Sequence, residues 1–308
     1  MLYLLEKELI STMKFLVTGG AGFIGSHLVD SLINNNHSVV VIDNESASEN
    51  ENFYWNEKAE NYNYNICNYN EIESLFENID CVFHLAAESR IQTAIKNPSR
   101  TFKVNFIGTL NILEACRRYK VSKILYSSTS SYYGLKNSPP LLEEMDRDCL
   151  NPYSSSKVAG EDLIKMYSKL YKIKSIIFRY FNVYGERQPT KGQYAPVVGL
   201  FQKMKLEGKP MTVIGDGLAR RDYTHVKDVV NANLLGAMKD NMQDCKVINV
   251  GTGINYSVLD LVSMIKGEYI HISPRKGEAK ETLADISTAK KYLNWKPTIN
   301  LKDWVLSK

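Results

Sequence analysis

The chain has 308 residues, 44% hydrophobic and 23% charged, a composition that excludes a disordered chain and leaves room for one large core or two unequal ones. Its 38 basic and 34 acidic residues are interspersed and leave a net charge of +4, so no basic stripe marks a nucleic-acid track, while a phosphorylated small substrate remains compatible. The five cysteines form no C-x-x-C and predict reduced thiols in the cytoplasm, neither a disulfide framework nor a metal site, and no apolar run is long enough to span a membrane.

Residues 1–13 read as an N-terminal extension, with Glu6, Lys7 and Glu8 where a signal peptide would need its apolar centre. Lys14 to Thr18 is a short β-rich run that ends in Gly19-Gly20-Ala21-Gly22-Phe23-Ile24-Gly25. Helical spacing follows through Leu28, Val29, Leu32 and Ile33, and a second apolar run from Ser38 to Ile42 closes on Asp43. Strand, glycine loop, helix, strand and acid in that order make a dinucleotide-binding unit. Gly19 permits the tight turn, Gly22 lets backbone approach a pyrophosphate, and Gly25 lets the helix pack closely on the strand. The helix N-terminus attracts the phosphate charge. Asp43 would accept hydrogen bonds from ribose hydroxyls and repel a 2′-phosphate. The following Asn44-Glu45 supplies no arginine to offset that, so NAD is favoured over NADP.

Residues 44–70 lack clean periodicity and read as a surface excursion that ends at Asn65-Ile66, an adenine-side contact. Cys81 to Ala87 is the next buried strand, with Leu85, Ala86 and Ala87 small enough at its end for a cofactor to approach. The polar residues Glu88, Ser89 and Arg90 follow it. Helical spacing covers Phe102 to Tyr119, and Val121 to Tyr126 is a strand that runs into the hydroxyl-rich Ser127-Ser-Thr-Ser-Ser131-Tyr-Tyr-Gly134.

A Tyr followed four residues later by Lys occurs seven times, at Tyr3, Tyr54, Tyr119, Tyr132, Tyr153, Tyr223 and Tyr292, so the spacing alone selects none of them. Only Tyr153/Lys157 has a strand ending in hydroxyls just upstream and a helix start, marked by Pro152, beneath it. On that helix the two side chains lie one turn apart on one face. Lys174 to Tyr180 is a further strand. Beyond it come a helix near Val198 to Leu206, short strands at Met211 to Ile214 and Asp222 to His225, a helix from Val226 to Met238, a strand at Val247 to Val250 and a helix after Ser257. His225 reads as satisfying a local structural bond.

Seven stretches, in order, carry a resemblance: TGGAGFIG at 18–25, HLAA at 84–87, SSTSSYYG at 127–134, NPYSSSK at 151–157, RYFNVYG at 179–185, RRDYTHVKD at 220–228 and LADISTAKK at 283–291. From Lys14 to about Leu301 the chain resembles the extended short-chain dehydrogenase/reductases, in their nucleotide-sugar epimerase and dehydratase branch, and among these the UDP-N-acetylglucosamine/UDP-glucose 4-epimerases. The resemblance implies an α/β fold. A doubly wound parallel sheet of Rossmann type would span 14–183, and a smaller mixed α/β substrate-binding region 184–308, part of which returns to the sheet.

It also implies NAD as cofactor, a UDP-sugar substrate, and a homodimer through the helices Phe102 to Tyr119 and Tyr153 to Tyr171, with no nucleic-acid or membrane partner. Tyr153 is implied as catalytic base, Lys157 as its electrostatic partner and ribose contact, and Thr129 as the hydroxyl on the same sugar oxygen. The nearby positive charges of Lys157 and the nicotinamide would lower the phenol from its reference value of about 10. Asn105, Ser127 and Tyr180 are implied at the cofactor besides Gly19, Gly22, Phe23, Ile24, Gly25, Asp43, Asn44, Asn65, Ile66 and Leu85 to Ala87. Ser89, Arg90, Ser130, Ala195, Val197, Glu278 and Thr282 are implied at the substrate, and Asn182, Arg221 and Arg275 at its diphosphate.

Related dehydratases carry Asp-Glu after the catalytic Thr, where this chain has Ser130-Ser131. Without those acids elimination has no agent, which leaves 4-epimerisation. Thr282 stands where a bulky Tyr restricts related enzymes to the unacetylated sugar, so the acetamido form is the expected substrate. The alternatives are a UDP-uronate 4-epimerase, against which Asn182 argues, a reductase or synthase that releases its cofactor, and a non-catalytic NAD-binding protein.

Overall fold

The frame of the molecule is a seven-stranded sheet whose strands all run parallel, in the order β11-β6-β5-β4-β1-β2-β3. These are β1 Lys14–Thr18, β2 Ser38–Asp43, β3 Glu60–Asn63, β4 Cys81–His84, β5 Lys123–Thr129, β6 Lys174–Tyr180 and β11 Cys245–Val250. Between them in the chain lie β7 Val183–Tyr184, β8 Met211–Ile214, β9 Arg220–Asp222 and β10 Thr224–His225, and after them β12 Asn255–Ser257 and β13 Tyr269–Ile272, which pair two by two outside the sheet. The computed structural model describes residues 12–47, 53–190, 195–242, 244–274, 277 and 279–308.

Alternation along the strands builds one core on each face. Phe15, Val17, Val39, Val41, Phe83 and Phe178 pack on one side with the helices Phe23–Asn34 and Val226–Ala237. Leu16, Val40, Val82, Ile124, Tyr126 and Ile177 pack on the other with the helices Thr109–Arg118 and Pro152–Tyr171. A third, separate core joins Tyr184, Phe201, Met211, Val213, Tyr223, Leu261 and Leu301. No helix among the described residues is long and apolar enough to cross a membrane.

Strand order reverses between β1 and β4, and the chain segments that leave these two strands open a crevice at the sheet's C-terminal edge, the place where doubly wound folds bind ligands. β5 and β6 end together at this edge, with Thr129 opposite Tyr180 in the register.

Several local expectations change. The stretch 102–119 is not one helix: Pro98–Phe102 leads into a wide π-type turn over Lys103–Gly108 before Thr109–Arg118. β3 lies inside the stretch read as a surface excursion, because its polar sequence ENYN carries no apolar alternation on an edge strand. Asp222 to His225 divides between β9, which pairs with β12, and β10, which pairs with β7. β13 is an exposed strand without a sequence signal.

Candidate active site

The glycine loop is shaped by contacts that leave no space for side chains. Gly19 has φ +71°, and a Cβ there would lie 2.7 Å from the Ala86 nitrogen, while one on Gly25 would meet the Gly19 carbonyl at 2.1 Å. Gly22 stands at the N-terminus of the helix Phe23–Asn34 with no side chain capping it. The helix therefore presents free backbone N–H groups and its positive end to the crevice. Asp43 accepts hydrogen bonds from the Ala21 nitrogen at 3.1 Å and the Glu45 nitrogen at 2.8 Å, which ties the end of β2 to the loop. Burial raises the Asp43 carboxyl above its ordinary range, and these bonds oppose the rise.

Under the loop, His84 is fully buried between Thr18 Oγ1 at 2.7 Å and Thr109 Oγ1 at 2.9 Å. Thr109 donates its own proton to the Asn105 carbonyl, so His84 carries its hydrogen on Nε2 and accepts from Thr18 on Nδ1. Burial, followed by the charge of Lys157, pushes this imidazole down to about 3 and keeps it neutral.

The helix Pro152–Tyr171 starts at a capping box. Asn151 Oδ1 accepts from the Ser154 nitrogen at 2.9 Å, and Ser154 Oγ accepts in return from the Asn151 nitrogen. The other end of the same amide, Asn151 Nδ2, donates to the Gly277 carbonyl at 2.9 Å. Tyr153, half-buried, and Lys157, 2% exposed, face the crevice from this helix. Burial raises the Tyr153 phenol, and a hydrogen bond with Thr129 and then the charge of Arg90 act to lower it. Arg90 thus joins the groups expected to act on the phenol. The Lys157 ammonium lies 4.2 Å from the centre of the Tyr126 ring.

Behind the strand ends sits a buried ion pair that sequence reasoning missed. Arg179 donates from Nε and Nη2 to the two carboxylate oxygens of Glu161, at 3.0 and 2.8 Å, and both side chains are almost wholly buried. Ser128 Oγ donates to the same carboxylate at 2.6 Å, and the guanidinium carbon lies 3.3 Å above the Tyr132 ring. Burial opposes ionisation of Glu161, yet these hydrogen bonds hold its carboxyl below the usual range. The flanking hydroxyls are held as well: Ser127 Oγ bonds Tyr180 Oη at 3.1 Å, and Thr129 Oγ1 accepts from the Ser131 nitrogen at 3.1 Å.

These parts enclose a cavity of about 560 Å³. Its walls bring together Gly19, Gly22, Phe23, Ile24, Gly25, Asp43, Asn44, Asn65, Ile66, Leu85, Ala86, Ala87, Ser89, Arg90, Ser127, Thr129, Ser130, Tyr153, Lys157, Tyr180, Asn182, Ala195, Val197 and Arg221, all named from the sequence. A second cavity of about 220 Å³ adjoins it, with Ser89, Arg90, Ser130, Asn182 and Arg221 in both walls and Thr282 in the second alone. Thr282 Oγ1 accepts from Asn182 Nδ2 at 3.3 Å.

Asn105 departs from expectation. It lines neither cavity, and the π-type turn aims its side chain at the Glu88 backbone and at Ser156 Oγ, 2.9 Å away on the Tyr153 helix. Arg275 and Glu278 lie outside the described residues. Sequence reasoning also missed Tyr184 and Tyr223, whose hydroxyls are buried without a hydrogen-bond partner among the described residues and which line the larger cavity. Both lie inside stretches that carry the resemblance, yet nothing marked which of their aromatic rings reach the wall. His225 caps the helix Val226–Ala237 through Nδ1, a structural role as expected.

The residues present fit NAD: a cradle where a Cβ on Gly19 or Gly25 would clash with backbone, an acid next to it for the ribose, and a crevice that runs from there to Tyr153 and Tyr180. The family model described as GDP-mannose 4,6 dehydratase matches residues 16–307. Among solved structures, the UDP-glucose 4-epimerase of Thermotoga maritima with UDP-glucose is 37% identical, with 96% of each chain covered and a TM-score of 0.90. The UDP-N-acetylglucosamine 4-epimerase of Methanobrevibacter ruminantium M1, in complex with UDP-N-acetylmuramic acid, is 31% identical, with 96% of this chain and 97% of that one covered and a TM-score of 0.89. The UDP-glucuronic acid 4-epimerase of Bacillus cereus, with UDP-glucuronic acid and NAD, is 35% identical over 95% of this chain and 96% of that one, at a TM-score of 0.86. With this match over nearly its whole length, the chain belongs to the extended short-chain dehydrogenase/reductases, as an NAD-dependent UDP-sugar 4-epimerase.

Proposed function

We propose that this epimerase interconverts UDP-N-acetylglucosamine and UDP-N-acetylgalactosamine, and takes UDP-glucose and UDP-galactose as a second pair. The observation that carries this reading is the 220 Å³ cavity beside the sugar end, whose wall holds the small Thr282. A bulky side chain there would fill the space that a 2-acetamido group needs. The similarity to a UDP-N-acetylglucosamine 4-epimerase supports it.

In the reaction, Tyr153 takes the proton of the sugar 4-hydroxyl, and Thr129 holds the same oxygen. NAD, when bound, accepts the C4 hydride and gives it back to the other face of the turned 4-keto sugar. Lys157 holds positive charge beside the phenolate and meets the nicotinamide ribose, and Asp43 accepts the adenosine ribose hydroxyls. Gly22, Phe23 and Ile24 offer backbone N–H groups to the pyrophosphate. Asn182, Arg221 and Arg275 hold the diphosphate of the substrate, where arginine suits paired contact with phosphate oxygens. Water elimination would need an acid and a base beside Thr129. Among the described residues the cavity's carboxylates are Asp43 at the far end and Glu88, which pairs with Arg100 at 2.8 Å.

A UDP-uronate is the second reading, and the observation in its favour is Arg90 in the walls of both cavities, where its charge suits a carboxylate. Turnover of the acetylated, unacetylated and uronate UDP-sugars by protein purified without added NAD separates these readings. Activity on UDP-glucose with none on the acetylated sugar removes the Thr282 argument, and a need for added NAD points to a reductase. Tyr153→Phe is expected to lower turnover by about a thousandfold or more and to leave bound NAD in place. Retained activity refutes the base assignment.

We also propose a homodimer, since Phe102, Ile107, Met166, Leu170 and Tyr171 leave apolar side chains exposed along the 98–118 stretch and the Tyr153 helix. Light scattering that gives a monomer mass overturns this.

A further inference from the structure

Lys157 presents a problem of solvation. Its side chain is buried, yet none of the hydrogen bonds or ion pairs among the described residues involves its ammonium. The nitrogen itself keeps contact with the cavity, and when that cavity is closed off from water a charge without partners is costly. The nearest acid on its own helix, Glu161, is already engaged by Arg179, Ser128 and Lys165. What the ammonium does have is the cavity on one side and the face of the Tyr126 ring, at 4.2 Å, on the other.

Tyr126 lies on β5, three residues before Thr129, is fully buried and lines neither cavity. Its hydroxyl donates to the backbone carbonyl of Lys157 at 3.1 Å. Room for that hydroxyl comes from Gly160, where an added Cβ would lie 2.2 Å away from it. One side chain therefore touches Lys157 at both ends, ammonium and carbonyl.

We propose that Tyr126 is a positioning residue for Lys157, whose ring face holds the lysine's ammonium at the cavity edge by a cation–π contact while its hydroxyl fixes the lysine's backbone. The inference rests on the role given to Lys157 above and adds what keeps that lysine charged. Burial brings the Lys157 amine down to about 7, with Glu161 pulling the other way, so at neutral pH a small stabilisation of the ammonium decides its charge. A ring face supplies stabilisation of that size. The other titratable groups packed around it are Tyr153 and Glu161 on its own helix and His84 on β4, which stays neutral. Arg179 of β6 is engaged by Glu161, the Tyr133 hydroxyl and the Glu143 carbonyl, and Arg90 acts on Tyr153.

The test uses the NAD-loaded enzyme with UDP-glucose and UDP-N-acetylglucosamine. Tyr126→Leu is expected to lower kcat on the order of tenfold at neutral pH with KM little changed, and to move the alkaline limb of the kcat profile about one unit to lower pH. Tyr126→Phe keeps the ring face and loses only the bond to the Lys157 carbonyl, and is expected to keep the alkaline limb near that of the parent with a smaller fall in rate than the leucine variant. A folded, NAD-loaded Tyr126→Leu enzyme with the parent's kcat and alkaline limb overturns the proposal, as does a Tyr126→Phe enzyme that loses as much as the leucine variant.

Should the leucine variant fail to fold, a series of increasingly fluorinated phenylalanines at 126 weakens the ring face at nearly constant shape. A stepwise fall in kcat then supports the proposal, and a flat series overturns it. Lys157→Met is the control. If its turnover equals the parent's, the role of Lys157 itself fails. If it falls while the Tyr126 variants stay unchanged, only the role of Tyr126 fails.

Discussion

At its Gly19–Gly25 end the cavity is built around one short glycine stretch packed closely on backbone, whereas at its Thr282 end it is lined by Arg90, Ser130, Asn182, Arg221 and Thr282 from separate parts of the chain. The first end leaves no room for a Cβ at Gly19 or Gly25 and is aimed at a cofactor that does not vary. The second is assembled across the chain, and one exchange of side chain changes its volume without moving the frame. This contrast fits an enzyme whose relatives include epimerases of glucose, N-acetylglucosamine and glucuronic acid nucleotides on one fold.

The largest effect is expected where the two ends meet, under β5. Arg179→Met leaves Glu161 charged in the interior with only the Ser128 hydroxyl and the partly exposed Lys165 beside it, at a cost of about 3–5 kcal/mol read by denaturant unfolding. Because the fold holds the Glu161 carboxyl below its unfolded value of about 4.3, the ionised pair stabilises above that pH and the contribution fades as pH falls through the lower, folded value. The variant is expected to lose that acid-side dependence, and an unchanged unfolding midpoint would place the pair outside the structure's support.

At the cofactor end, Gly25→Ala is expected to strip bound NAD and lower turnover more than about a hundredfold, as measured on denatured and native protein respectively. If NAD content stays full, the loop at the first end accommodates an added Cβ and the contrast between the two ends fails. At the substrate end, Thr282→Tyr is expected to lower the preference for the acetylated over the unacetylated sugar by about ten- to a hundredfold in kcat/KM, with NAD content unchanged.

At neutral pH the smallest effect is that of His84, which shows only on acidification. Its imidazole is pushed down to about 3 in the fold and titrates near 6.5 in the unfolded chain, so between those values the unfolded chain binds the extra proton. Stability is then present above pH 6.5 and lost on acidification at about 1.4 kcal/mol per pH unit for this one group. His84→Asn is expected to have a shallower acid slope, and equal slopes would exclude the buried neutral histidine.

The cofactor end was legible in the sequence because its chemistry demands fixed spacing: glycines three apart, an acid closing the next strand, and Tyr153 one turn from Lys157. Hydroxyls at 127–131 pointed to a strand end for the same reason. What could not be read were partnerships. Nothing near Glu161 announces Arg179, and nothing near Lys157 announces Tyr126, since both contacts join the Tyr153 helix to strands of the sheet and depend on which face of each strand meets it. Asn105 was placed at the cofactor by the resemblance alone, and the Phe102 to Tyr119 spacing read as an ordinary helix. The π-type turn that redirects it leaves no mark on apolar periodicity. β3 and β13 were missed because edge strands with exposed polar or mixed faces lack the alternation that betrays a half-buried strand.

The bond from Asn151 to the Gly277 carbonyl spans 126 positions of the chain. A ribosome delivers the glycine cradle, both central strands and the whole Tyr153 helix long before it delivers residue 277, and it delivers β11, the last strand of the sheet, only at residue 245. As the chain emerges, the amide that caps the helix has one hand empty until the far segment arrives to take it. The start of the catalytic helix is thus tied twice, locally through Ser154 and across the chain through Gly277, and the second tie forms only once nearly the whole sequence has been made.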